Sequence, residues 1–155
     1  MSTYKQSIPQ ADTLMGSMRS MGYSFEAAIA DVIDNSISAN CNVVKLFFPS
    51  EPTDELVVGI LDDGEGMPAD VLFEAMRYGS TDSELERRAN DLGRFGLGMK
   101  SASLSQCRIL TVVSLYAGKL SSYSWDFNCI QKRKEWIVKE LSQTEIKSLP
   151  YIDSL

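Results

Sequence analysis

The chain has 155 residues, a formal charge of −6 at pH 7, 44% hydrophobic and 23% charged residues, and no histidine. The length suits a single domain able to bury a core, and the composition is that of a globular chain rather than a disordered one. Without histidine there is no imidazole base, no Ser-His-Asp triad, no His-ligated metal and no phospho-accepting His, and the acidic balance argues against nucleic-acid binding through this segment.

Cys41, Cys107 and Cys129 are scattered, with no Cys-x-x-Cys pair. A zinc site or redox dithiol is therefore disfavoured, and an odd count fits a reducing compartment. Met1 to Gln10 lacks the apolar core of a signal peptide, and no apolar run reaches membrane-spanning length. The expectation is a cytoplasmic, intracellular, soluble protein that makes no membrane contact.

In chain order, residues 11–21 form a short Met-rich helical opening that Gly22 breaks. Ser24 is placed to cap a helix from Phe25 to about Asn40, with Phe25, Ala28, Ile29, Val32, Ile33 and Ile37 on one buried face. Val43 to Phe48 reads as a strand. Glu55 to Leu61 reads as a second, nearly continuous in apolar character and so expected to be central and buried. Pro68 opens a helix over Ala69 to Tyr78. Residues 79–97 are a long polar stretch, and Gly98 to Gln106 a small-residue helix. Strands are expected at Ile109–Tyr116, Leu120–Phe127 and Trp136–Leu141, with turns at Ala117-Gly118 and about Asn128–Lys134. A short helix follows at Thr144–Leu149. Consecutive late strands favour an α+β two-layer sandwich, one mixed sheet with helices on one face, over a doubly wound fold.

Six of the ten glycines (64, 66, 79, 93, 96 and 98) fall in one third of the chain. Such density lets backbone approach a ligand closely. Three clusters surround them. On the first long helix, Asp31 and Asn35 are four residues apart and share a face, with Asp34 and Ser38 nearby. A carboxylate and a carboxamide so spaced could hold a hydrated Mg²⁺ and orient water, although a solvated polar face explains the cluster better when it is taken alone. Asp62-x-Gly64-x-Gly66 follows a strand directly. Its carboxylate could accept from an amine in a pocket, and an ordinary Asp-Gly turn is an equal reading. Gly93-Arg94-Phe95-Gly96-Leu97-Gly98-Met99-Lys100-Ser101 leads into a helix. Its amides could cradle phosphate, or it could be a flexible connection; it matches neither a P-loop nor a dinucleotide fingerprint. Taken together, the clusters supply an adenine anchor, a metal and water holder and a phosphate cradle in one chain.

In this respect the sequence resembles the GHKL superfamily of gyrase B subunits, ninety-kilodalton heat-shock chaperones, sensor histidine kinases and MutL-type repair proteins. The runs AIADVIDNSISA, LDDGEGM and GRFGLGMKSAS, in that order over about residues 25–105, are most similar to MORC-type and related prokaryotic ATPase modules. The resemblance implies a Bergerat ATP-binding domain over 25–155, preceded by a helical strap segment at 1–24, with ATP/ADP and Mg²⁺ as cofactors. It implies Mg²⁺ at Asn35, adenine at Asp62, and a base pocket shaped by Gly64, Gly66 and Met67. Gly93, Phe95, Gly96, Leu97, Gly98, Met99 and Lys100 would wrap the phosphates, and residues 79–97 would be a lid.

The general base would be Asp31, where many hydrolysing members carry Glu. Ser38 stands where many have Asp. The expected activity is ATP hydrolysis driving lid closure and nucleotide-dependent homodimerisation. The alternative is a nucleotide-gated interaction module with little hydrolysis, because Asp31 is one methylene short. A histidine kinase catalytic domain ranks below both, there being no His. The family's Gly-Thr strand motif is missing before Leu155, with Thr111 the nearest candidate to touch the adenine-site carboxylate. By the resemblance, the chain is expected to be an N-terminal fragment of a longer protein, lacking its last strand or strands.

Overall fold

The computed structural model describes residues 3–52, 56–77 and 97–155. In chain order the elements are α1 (Ala11–Arg19), α2 (Phe25–Ser38), β1 (Val44–Phe47), β2 (Gly59–Asp62), α3 (Ala69–Met76), α4 (Leu97–Gln106), β3 (Ile109–Tyr116), β4 (Lys119–Asp126), α5 (Phe127–Arg133), β5 (Lys139–Glu140) and α6 (Gln143–Lys147), with a 3₁₀ turn at Ile152–Ser154. The α+β class is as expected. Among the described residues every strand pair is antiparallel, and the strands form two sheets, β1-β2 and β3-β4-β5.

Local chemistry accounts for the element boundaries. Ser24 Oγ accepts from Ala27 N at 3.2 Å and starts α2, while Asn40 ends it in the left-handed region at φ 57°. Ala117 and Gly118 both have positive φ (48° and 76°), which suits the tight turn joining β3 to β4. Residues 128–134, expected as a turn, are mostly helix. Asp126 Oδ1 accepts from Asn128 N and Cys129 N and caps α5, whose Ile130 is fully buried. The strand expected over 136–141 shrinks to Lys139–Glu140.

The main core is shared by five elements: Ala11 and Met15 of α1, Leu72 and Met76 of α3, Leu104 of α4, Trp125 of β4, and Phe127 and Ile130 of α5. The Trp125 indole N–H donates to Met76 O at 2.9 Å, which ties the end of α3 to β4. The helix α2 lies along α4. Its buried face differs from the expected apolar stripe. Ala28 is buried, but Phe25 and Ile37 are 42% and 49% exposed, and the polar Asn35 and Ser36 are buried instead.

The strand β2 also departs from expectation. It is half-buried rather than central, and Leu56 just before it is 75% exposed. Among the described residues only one edge of β2 is paired, to β1. Tyr151 reaches this sheet, stacking on Phe47 with ring centroids 4.9 Å apart and donating to Val57 O at 3.3 Å. Gly59 makes room for it, since a Cβ there would lie 2.7 Å from the Tyr151 ring.

A capping box starts α6. Glu145 accepts from Ser142 N and Oγ, both at 2.8 Å, and from Lys139 Nζ at 2.5 Å. The lysine contact first, then the serine donors, lower the Glu145 carboxyl to about 2 from an ordinary 4.5. Because the folded-state value is depressed, this stabilisation is complete above pH 4.5 and disappears as pH falls through 2. Glu145→Gln should therefore lower the melting temperature at neutral pH, and the gap from wild type should close progressively as a thermal series is taken down across that window.

Candidate functional site

The C-terminal half of α2 and the loop that leaves β2 meet at the candidate site. The side chains of Asp31 and Asn35 are one turn apart on α2. Asn35 is only 6% exposed, and its Nδ2 donates to the main-chain oxygen of Asp31 at 3.0 Å. Its Oδ1 is buried and has no hydrogen-bond partner among the described residues. The amide orientation follows from chemistry, because the reversed amide would set two oxygens against each other. A buried acceptor without a donor is costly, and Oδ1 has acceptor capacity that the described residues leave unused. The Asp31 carboxylate takes no part in this bond.

The next residue, Ser36, is 4% exposed and donates from Oγ to Asp62 Oδ2 at 2.7 Å. The other Asp62 oxygen accepts from Gly64 N at 3.0 Å. Asp62 is thus oriented from both sides. Each of its oxygens has a second lone pair, so the carboxylate retains acceptor capacity for a ligand N–H.

The adjacent carboxylate does different work. Asp63 is solvent-exposed, and its Oδ1 accepts from Asn42 N at 2.6 Å and Val43 N at 2.8 Å. Those backbone donors, Val43 first, hold the Asp63 carboxyl below its ordinary value. Asp63 fastens the loop to the start of β1 while Asp62 turns towards α2.

The glycines between these groups are required by close approach. A Cβ on Gly64 would lie 2.9 Å from Ala39 Cβ, Ala39 O and Asp62 Oδ1. Gly66 has φ +69°, and a Cβ there would lie 2.2 Å from Leu115 O. Glu65 N donates to Ala39 O at 3.1 Å, and Met67 N to Ser114 Oγ at 2.7 Å, so the loop is bonded to α2 on one side and β3 on the other.

The structure therefore brings Asp31, Asn35, Asp62, Gly64, Gly66 and Met67 into one connected region. Leu97, Gly98, Met99 and Lys100 form the first turn of α4, the helix packed along α2. Gly93, Phe95 and Gly96 lie outside the described residues, as does nearly all of the expected lid, residues 79–97. Asp34 is exposed, and Ser38 Oγ donates back to its main-chain oxygen at 3.0 Å.

Two findings correct the sequence reading. Thr111 does not touch Asp62; its hydroxyl pairs with Ser124 Oγ at 2.9 Å across β3 and β4. The hydroxyl on Asp62 belongs to Ser36, which sequence reasoning passed over. Its signal was positional, because Ser36 lies four residues beyond Val32 and three beyond Ile33, on the stripe the helix buries. A separate cleft of about 590 Å³, between Pro9, Phe73, Arg77, Trp125 and Trp136, contains none of the site residues.

The donors suit magnesium as a phosphate-bound ion. No group of three His, Cys, Asp or Glu side chains that could cage a metal occurs among the described residues. Mg²⁺ commonly takes one or two protein oxygens and fills its shell with water and phosphate, and the orphaned Asn35 Oδ1 is one such hard oxygen. Gly66→Ala should destabilise the fold by more than about 1 kcal/mol, since an alanine is strained at positive φ and here also meets a backbone oxygen. A denaturant midpoint unchanged in Gly66→Ala would contradict the close approach.

A family model described as histidine kinase-, DNA gyrase B-, and HSP90-like ATPase matches residues 23–155. No curated protein matches the chain. The chain belongs to that ATPase family, and membership implies nucleotide binding; α1 precedes the matched region.

Proposed function

We propose that this member of the histidine kinase-, gyrase B- and HSP90-like ATPase family is a Mg²⁺-dependent ATP-binding domain that hydrolyses ATP to ADP and phosphate. The observation that carries the reading is the pairing of an orphaned, buried Asn35 Oδ1 with an Asp62 carboxylate oriented by Ser36 and Gly64. A solvated polar face would need neither a buried carboxamide nor a loop whose glycines leave no room for a Cβ.

In this reading Asp62 accepts from the adenine amino group, and Gly64, Gly66 and Met67 form the wall against the base. Asn35 Oδ1 holds the magnesium that neutralises phosphate charge when Mg·ATP is bound. Gly93, Phe95, Gly96, Leu97, Gly98, Met99 and Lys100 contribute donors to the phosphates, the main-chain amides foremost. Asp31 takes a proton from the attacking water as general base. Hydrolysis would open and close a lid formed by residues 79–97, with nucleotide-dependent pairing of two copies of the cytoplasmic protein. No helix among the described residues is long and apolar enough to cross a membrane.

A second reading is favoured by one feature, the identity of residue 31. Aspartate is a methylene shorter than glutamate, so the water must lie nearer the helix to be in reach. If it does not, nucleotide binding gates an interaction surface without turnover.

Mg·ATP at 100 times its dissociation constant should add about 2.7 kcal/mol to stability, read as a raised melting temperature. Asp62→Asn should abolish that rise, and a full rise in the variant would remove the adenine assignment. Asp31→Asn should keep the rise and stop phosphate release. Release equal to wild type would remove Asp31 as base, whereas wild-type binding without release selects the second reading.

A further inference from the structure

The end of α4 remote from its first turn is held by α1, which precedes the family match, and by the segment joining α1 to α2. Arg19, the last residue of α1, donates from Nη1 to Leu104 O at 2.7 Å and also to Cys107 O. Its guanidinium lies 5.1 Å from the Phe127 ring centroid. Gln106 Nε2 donates to Tyr23 O at 2.7 Å, in the segment joining α1 to α2. Leu104 lies in the last turn of α4, where carbonyls have run out of intrahelical donors. A cation there satisfies the orphan oxygen and complements the negative end of the helix. The Arg19 contact is not incidental to an exposed surface, because Arg19 is half-buried and Phe127 is 5% exposed.

We infer that Arg19 is a positioning residue for the phosphate end of the nucleotide site. The inference rests on the nucleotide reading above. The helix α4 is a single element of ten residues, with Leu97 to Lys100 at one end and the Arg19 anchor at the other. It runs along α2, which carries Asn35. Fixing its C-terminal turn to α1 and Phe127 sets the height of its first turn relative to Asn35 Oδ1. Preorganised amides bind an anion better than amides that must first be ordered. The adenine end does not depend on this anchor, because Asp62 is held by Ser36 and Gly64, on α2 and its own loop.

This separation of the two ends predicts a split between ligands. Isothermal titration of the full chain with Mg·ATP and with adenosine should show Arg19→Met weakening Mg·ATP by about tenfold or more, the scale of a lost hydrogen bond to a charged group, with adenosine unchanged. Arg19→Lys, which keeps a cation able to reach a carbonyl, should recover most of the Mg·ATP affinity. If Arg19→Met does not fold, Arg19→Lys should still show a smaller loss confined to Mg·ATP. Equal weakening of both ligands, or no weakening of either, would overturn the positioning role. Wild-type protein that binds neither ligand would instead overturn the nucleotide reading itself. Asp62→Asn serves as the reference, since it should weaken both ligands together.

Discussion

Asp62 stands at the end of a four-residue strand whose only pairing among the described residues is with β1, and a short sheet of that kind has little intrinsic rigidity. What fixes the carboxylate is the hydroxyl of Ser36, reaching across from α2 at 2.7 Å. That bond joins helix to strand at the point where a glycine-bounded loop begins. The other loop contacts, Glu65 N on Ala39 O and Met67 N on Ser114 Oγ, extend the same docking in both directions. Removing the hydroxyl would leave a part-buried carboxylate with a single backbone donor, in a site whose geometry depends on its orientation.

The buried polar groups of α2 follow from this junction. A helix packed only for stability would turn its apolar stripe inward, yet here Phe25 and Ile37 stay substantially exposed while Asn35 and Ser36 are buried. Burying a carboxamide oxygen without a donor carries a cost, which the apolar core elsewhere must offset. Such a local violation of packing rules is characteristic of sites that wait for a ligand. The core that offsets it gathers α1, α3, α4, α5 and β4 around Trp125, and Met67 of the loop after β2 packs against it. The result is a packed cluster around Trp125 and, adjoining it, a polar, glycine-dependent seam between α2 and the loop after β2.

The helix α4 connects these two regions. Leu104 belongs to the core, while the first turn begins immediately after the glycine-rich run. The Leu104 carbonyl in its last turn and the Cys107 carbonyl just beyond it accept from Arg19, which makes α1 part of the structural support although it precedes the family match. Two guanidiniums, from Arg19 and Arg108, lie against the Phe127 ring, each 5.1 Å from its centroid, so the anchor is itself packed against the core.

Much of this was legible in the amino-acid sequence. The start of α2 at Ser24 and its stop at Asn40, the β3-β4 hairpin turn at Ala117-Gly118 and the order of the three motifs depend on neighbours within a few residues, where capping and turn chemistry act. The family followed from motif order, and the match over residues 23–155 agrees. Other features depended on long-range contacts. Residues 128–134 became mostly helix, capped by Asp126, instead of a turn because Ile130 found a place in the core. The half-exposed β2 depends on which strands lie beside it, which apolar content alone does not encode. Ser36, rather than Thr111, bonds Asp62 because two segments 26 residues apart come together at one angle. Sequence spacing determined which residues share a helix face; only the packing of α2 against the β2 loop decided which member of that face would be buried and what it would hold.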